Sequence, residues 1–479
     1  MVLHHFVIQP ISLGCVSQAR LGTLMGSNRV PAWVWALLIV GHATALAWAL
    51  YSGGWNFTDS GRYLQAAENL RAFGELYARP WTTVPRGQDV QEFTIRSLGY
   101  PLAVYALGSE RTLPVLLLLV QNLLSLLNLG LVLRWWNSLM QPSRVDWLWA
   151  SVAIFSFPAQ FIYASVVMSE MVMQTLALLI VVAGLLFIRT LKCRFAFGAA
   201  VAVTLGLLVK PVFYPLAGGL ALLGTILAWR SRRLALFAIG LVPLVSVLFY
   251  MGWNYQRTGY FHYSSIAEIN LLHYNAAGVV RQAQGAAAEE QWVSGVLAEA
   301  NAQPSFAGQQ HLIRARATTV LLAHPVLYAR QHAQGMAAFF LDPGRFDVAQ
   351  FFRLKQIGVS GLLTSVRDGS LLQAFAKLPL GLMAFLAIIL SANVVRAVLA
   401  LRGFLLLGSG GPLVRIGRWL AAGLLLYVAL LTGPLGAARF LVPVWPLLLA
   451  LALVGQQGQK GKNALRANDK PLPMGESQR

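Results

Sequence analysis

Charge is scarce in this sequence and cysteine nearly absent. Of 479 residues only 11% are charged, against 57% hydrophobic, and the mean hydropathy is +0.61. So few polar side chains cannot cover a water-soluble protein of this length, and a soluble globular chain is excluded. Acids are the scarcest group, 17 Asp and Glu against 37 Lys and Arg. The two cysteines, Cys15 and Cys193, supply neither a disulfide framework nor metal-ligand spacing. The chain also lacks a GxxxxGK[ST] loop, a GxGxxG after a strand and an HExxH pair, so no familiar motif for nucleotide hydrolysis or zinc proteolysis is present. Its first 24 residues lack the charged start and long apolar core of a signal peptide, and Met25 stands as an alternative start to Met1.

What the sequence does contain is long apolar runs. Segments of about twenty uncharged residues are what a helix needs to cross roughly 30 Å of hydrocarbon, and open sheet edges are not tolerated there. The pattern predicts an all-α polytopic membrane protein of about ten transmembrane helices, near 33–51, 113–133, 147–167, 171–188, 195–213, 214–229, 234–253, 375–395, 418–436 and 440–456. At Lys210-Pro211-Val212-Phe213-Tyr214-Pro215 the two prolines mark either a tight turn or a kink in one longer path. The expected organisation is a cytoplasmic segment 1–32, a membrane core 33–253 that includes a first outer loop 52–112, a second outer loop 254–374, a C-terminal helical part 375–456 and a disordered tail 457–479. Amphipathic helices are expected in both loops.

The charge surplus then sorts by loop. With the N-terminus in the cytoplasm, the cytoplasmic segments hold 19 Lys or Arg and 3 acids, the loop 52–111 holds 6 of each, and the loop 254–374 holds 9 and 7. This is the positive-inside pattern, carried by Arg189-Lys192-Arg194, Arg230-Arg232-Arg233 and Arg396-Arg402-Arg415-Arg418. Both termini are expected inside and both large loops outside. The basic balance therefore reads as topology and not as a nucleic-acid surface. The excess of Arg over Lys, 30 to 7, with abundant Ala, Leu and Gly, points to a bacterium with a GC-rich genome and hence to an inner membrane whose outer loops face the periplasm.

Four charges fall at the outer ends of spans, Lys210, Lys377, Arg439 and Glu170. Intramembrane and membrane-edge charges are costly enough to mark functional candidates. For Lys210 and Arg439 two readings are open, a snorkelling cation or a clamp for a phosphate, which Arg grips in bidentate fashion and Lys as a point charge. Asp59 precedes the helical run GRYLQAAENLRAFG and suits a helix N-cap, worth about 1 kcal/mol. A carboxylate so placed also suits proton abstraction from an attacking hydroxyl. Glu170 suits the positive end of its helix dipole.

The order of these residues resembles a family. One span is followed by Asp59-Ser60-Gly61-Arg62-Tyr63, then Ala66-Ala67-Glu68-Asn69-Leu70 and Arg96-Ser97-Leu98-Gly99-Tyr100-Pro101-Leu102, and near the end comes Ala438-Arg439-Phe440-Leu441-Val442-Pro443-Val444-Trp445-Pro446. Together they resemble the polyprenyl-phosphate-dependent GT-C glycosyltransferases, the group of aminoarabinose transferases and protein O-mannosyltransferases, over about 33–456. The resemblance implies a GT-C-like fold and transfer of a sugar, with inversion, from a polyprenyl-phosphate donor to a hydroxyl of a lipid, glycan or protein acceptor at the outer leaflet. It implies Asp59 as general base, Lys210, Arg439 and Arg96 at the donor phosphate, and Tyr100 in the donor pocket. Glu170 stands as a second acidic group of that pocket. Family members with paired carboxylates bind a divalent metal in some cases; here Ser60 follows Asp59, which argues against a metal, and no other cofactor is expected.

The loop 254–374 is too long for a plain connector. Its passage from Asn254 to Phe261 and on through Ser264-Ser265 to Asn270-Leu271-Leu272-His273-Tyr274-Asn275 has the polar and aromatic content of a sugar pocket, with His273 either a phosphate contact or a structural histidine. Residues 286–335 read as two or three amphipathic helices forming a cap that selects the acceptor. The rival reading is a transporter or flippase of a lipid-linked sugar. Such proteins commonly carry paired inverted repeats, and no second copy of the Asp59 loop is found.

Overall fold

The computed structural model describes residues 29–81, 85–107, 114–354, 379–458 and 460–463. The expected N-terminal segment as far as residue 28, Lys377 and the tail beyond 463 lie outside the described residues. Every regular element described is helical. Among the described residues, eight helices are long and apolar enough to cross a membrane. In chain order the elements are α1 (Ala32–Ser52), α2 (Ser60–Phe73), α3 (Gly99–Ala106), α4 (Val115–Met140), α5 (Arg144–Phe155), α6 (Ala159–Ala164), α7 (Glu170–Thr190), α8 (Cys193–Val209), α9 (Tyr214–Ser231) and α10 (Leu234–Thr258). The second polar loop forms α11 (Ile266–Asn270), a π-helical turn Leu271–Ala276, α12 (Ala277–Gln284), α13 (Ala286–Asn301), α14 (Phe306–Ala323), α15 (Pro325–Leu341) and α16 (Arg345–Phe351). The chain returns to the bundle in α17 (Leu380–Leu406), α18 (Pro412–Thr432), α19 (Ala438–Leu441) and α20 (Trp445–Gln456).

The ten apolar segments of the sequence map onto this bundle with two differences. The segment at 195–213 is α8, a shorter apolar helix. The segment at 147–167 is not one helix: α5 ends at Phe155 and α6 covers only six residues after Pro158. Proline has no N–H to give and its ring collides with the preceding turn, which breaks the path. The carbonyls released there are taken by Arg396. Its guanidinium donates to Ala153 O (3.1 Å), Ser156 O (3.2 Å) and the side chains of Ser156 and Asn393. Arg396 is buried, with its charge beside the rings of Phe157 and Trp445 at 5.6 and 5.0 Å. It therefore does not belong with the cations at the helix ends, where the sequence pattern had grouped it.

The prolines after Lys210 mark a turn and not a kink. Lys210 takes the extended backbone that the residue before proline favours, φ −154° and ψ 136°, and a short 3-10 turn, Pro211–Phe213, follows. Lys210 Nζ reaches Glu170 at the start of α7, while Arg233, just past α9, donates to Leu191 O at the far end of α7 (2.9 Å). So α9 runs back along α8. One end of the bundle thus collects Asp59, Glu170, Lys210 and Arg439. The other, about 25 Å away by the rise of α8, carries Arg144, Arg189, Lys192, Arg194, Arg230, Arg232, Arg233, Arg402, Arg415 and Arg418 against one acid, Asp146, among the described residues. The stretch expected as a disordered tail begins in order: residues 460–463 are helical and Lys460 lies 3.4 Å from Asp146.

Buried amides tie the helices that position the site. Gln160 and Gln174 exchange hydrogen bonds (2.9 and 3.0 Å), Gln160 donates to Ser125 and Gln174 to Val442 O (2.6 Å), so α4, α6, α7 and the entry to α20 share one polar seam. Hydrogen bonds between helices are a recurrent adhesive where apolar surface alone gives no preference for protein over lipid.

Candidate functional site

Local structure brings Asp59 and Glu170 together before any charge acts. After α1 the backbone turns through Gly53 at φ 69°, a conformation glycine adopts without strain. The segment that follows is stitched to the stretch before α7: Val167 N–H donates to Trp55 O (3.0 Å), and Ser60 Oγ accepts from Phe57 N–H (2.9 Å) while donating to Val167 O (3.0 Å). Gln121 and Asn122 of α4 satisfy the free carbonyls of Val166 and Ala164 (2.7 and 2.8 Å).

Asp59 stands at the N-cap position of α2, yet its side chain makes no capping bond. Both oxygens turn to guanidinium groups instead. Arg96 Nη2 donates to Oδ1 (2.6 Å) and Arg439 Nη1 to Oδ2 (2.8 Å). Arg439 Nε also donates to Glu170 Oε1 (2.7 Å), which accepts from Lys210 Nζ as well (2.9 Å). Glu170 is fully buried, whereas Asp59, Arg439 and Lys210 are each about one-fifth exposed and line a cavity. The cluster holds three cations and two carboxylates, which leaves one positive charge for an anion. Burial by itself would raise the Asp59 carboxyl; the charges of Arg439 and Arg96 outweigh it and hold the group well below the usual carboxylate range.

Tyr100 sits one layer behind. It is fully buried, its hydroxyl donates to Gln121 Oε1 (2.6 Å), and its ring meets Tyr63 edge-on at 4.7 Å. The ring that faces the cavity is Tyr63, with Arg96 stacked 4.8 Å from its centroid. His273 lines the cavity from the π-helical turn. Glu170 serves from below as the counter-charge of Lys210 and Arg439.

The cavity is about 820 Å³, within the range of small-molecule sites. Lys210 and Arg439 share the cavity with the apolar side chains of Val212, Phe213, Tyr214, Leu431 and Leu435, of which Tyr214 and Leu431 are exposed. Further lining comes from the second polar loop, including Phe261, His262, Tyr263, Ser264 and Glu268, with Arg314 from α14. Of the polar and aromatic passage singled out in the sequence, the part from Phe261 to Tyr274 lines the cavity, while residues 254–260 do not. Its fold is secured by Asn254, which donates to His262 O and Tyr263 O (3.0 and 2.7 Å), and by Ser264 and Ser265, whose hydroxyls donate to Thr94 O and Gln91 O.

Three groupings escaped the sequence reading. Glu92 is buried and takes both Arg62 (3.1 Å) and Arg79 (3.4 Å). Glu268, also buried, pairs with Arg314. Asp342 accepts the N–H of Ala438 (2.9 Å), directly before Arg439, while Asp347 accepts the hydroxyl of Tyr163 (2.8 Å). The scarcity of acids was the available signal: in so apolar a chain, each acid near a span end is a candidate. Among the described residues no group of three His, Cys, Asp or Glu is placed to hold a metal ion. No family model matches the chain, and no curated protein matches it either.

Proposed function

We propose that this chain is an inverting glycosyltransferase that takes a sugar from a polyprenyl-phosphate donor at the outer face of a bacterial inner membrane. The observation that carries the reading is the cationic surplus around Asp59 at the junction of an apolar wall and a polar one. An anionic headgroup with a long apolar tail fits that junction: Lys210 and Arg439 meet the phosphate, and the tail leaves past Tyr214 and Leu431 into lipid.

In this reading the acceptor hydroxyl attacks the anomeric carbon from the side opposite the phosphate. The new C–O bond forms as the sugar–phosphate bond breaks, the phosphate keeps the electron pair, and the hydroxyl proton passes to Asp59. Fixed cations aimed at the phosphate stabilise charge that grows in the transition state. Asp59 is a poor base while two guanidiniums hold it. An arriving phosphate competes for Arg439 and Arg96, and each contact it takes returns basicity to Asp59.

The test compares membranes holding wild type or Asp59→Asn at equal folded abundance, by mass spectrometry of polyprenyl-phosphate sugars and envelope glycoconjugates. Loss of a general base of this kind lowers transfer by roughly 10²- to 10⁴-fold, so the variant should accumulate a lipid-linked sugar while one conjugate loses a hexose- or pentose-sized mass. Unchanged conjugates would replace this reading with that of a lipid-linked-sugar flippase, which needs the cations and not the base.

A further inference from the structure

The cavity has a second polar pole that the donor does not use. On the wall built by the loop 254–354, Glu268 is 2% exposed, and its Oε1 accepts from Arg314. Its other oxygen, Oε2, is buried and makes no hydrogen bond of good geometry, the Tyr260 hydroxyl being the further polar neighbour of this carboxylate. Buried polar atoms in folded proteins are nearly always well paired, so a carboxylate this weakly satisfied, on a residue that lines the cavity, points to a ligand group. Gln310, one turn before Arg314 on α14, is buried on the same wall. The rings of Phe261, Tyr263 and Tyr274 line it as well.

We propose that the Glu268–Arg314 pole is the acceptor subsite and that it takes a neutral glycan. The inference rests on the transferase reading for the word acceptor; the binding itself does not depend on it. Three features select the ligand class. The carboxylate and guanidinium cancel in charge, so this pole, unlike the one at Arg439, offers no surplus to an anion. A carboxylate oxygen and a guanidinium side by side match the alternating donors and acceptors of sugar hydroxyls. Flat aromatic walls suit the apolar face of a pyranose ring. The position agrees too: the apolar wall and the cations stand where a lipid phosphate enters, so the pole on the polar loop is left to a substrate that arrives from water. Arg314 is half-exposed and free to follow the ligand, while Glu268 is held by the backbone of α11.

Saturation-transfer NMR on the full-length protein in nanodiscs tests this with a panel of neutral glucose-, galactose-, mannose-, rhamnose- and arabinose-based oligosaccharides, and with dodecyl phosphate as the anionic probe. Wild type should bind at least one neutral oligosaccharide. Glu268→Gln should weaken it about tenfold, the size of one charge-assisted hydrogen bond, with Arg314→Gln a second variant that removes the partner from an exposed position. Dodecyl phosphate binding should be unchanged in both. The subsite is overturned if no neutral oligosaccharide binds wild type, or if both variants bind it as wild type does. If dodecyl phosphate does not bind while an oligosaccharide does, the donor reading fails and the glycan site stands.

Discussion

At the scale of the residue, the site depends on carboxylates whose surroundings push them in opposite directions. Asp59, between Arg96 and Arg439, stays ionised throughout the neutral range. Its folded value lies below its unfolded one, so its contribution to stability is complete above about pH 4 and lost only as the pH falls further. Asp347 is the reverse case. Burial first, and then the neighbouring Asp342 carboxylate, push it up to about 7, with the Tyr163 hydroxyl and Arg439 only partly opposing. For an acid raised in the fold, the native state holds the extra proton, so stability falls as pH rises between about 4 and 7 and the full penalty is present above 7. Asp347→Asn keeps an acceptor for Tyr163 and removes the charge. Thermal unfolding from pH 5 to 8 should show wild type losing more Tm with rising pH than the variant, in which the buried Asp342 still titrates; parallel curves would mean that Asp347 is not the titrating group. Lys210 and Arg439 were legible in the sequence as costly charges near span ends, and Asp59 as a helix cap or a base. That Asp59 is a guanidinium ligand and not a helix cap was not, because its partner Arg439 lies 380 positions away. For Tyr100 the sequence marked the right neighbourhood and the wrong layer: which of two aromatic rings faces the cavity depends on how α3 leans against α2 and α4.

At the scale of the element, helices approach as closely as their smallest residues allow. Gly403 of α17 and Gly455 of α20 sit where a methyl group would lie 1.9 Å from Leu451 O and Leu399 O respectively. The two backbones are therefore in direct contact, a use of small residues common where helices associate in lipid. Gly403→Ala must part them, at a cost of about 1–3 kcal/mol for an overpacked interior, whereas Gly219→Ala adds its methyl to open space. Thermal unfolding in detergent should place the first variant clearly below wild type and the second level with it; equal values would show that α17 and α20 do not pack this closely. The broken α5–α6 path has its own device. Arg396 satisfies the carbonyls of Ala153 and Ser156 left open at the break before Pro158, so a charge that in sequence looked like one of a cytoplasmic cluster is a structural plug in the bundle. Periodicity and hydropathy average over a window and cannot register one proline whose consequences are met by an arginine from another helix.

At the scale of the whole molecule, the separation of a cationic end from a site end carries the topology. In a background without Cys15 and Cys193, a cysteine at Ser294, exposed on α13, should react with a membrane-impermeant maleimide in intact spheroplasts. One at Ser231, exposed at the cationic end, should react only after permeabilisation; the opposite pattern would invert the molecule and the proposed site with it. The sequence by itself determined the helical membrane class and the partition of charge along the chain. These are sums over neighbouring residues, and the solvent of a bilayer leaves only helices to satisfy their backbones. Only the tertiary structure decided that Lys210 heads a reversal, that Arg396 is interior, and that Glu170 draws Lys210 and Arg439 into one cluster with Asp59. Each of these is a contact between segments far apart in the chain, made where a buried polar group must find a partner, and no local pattern records which partner the packing supplies.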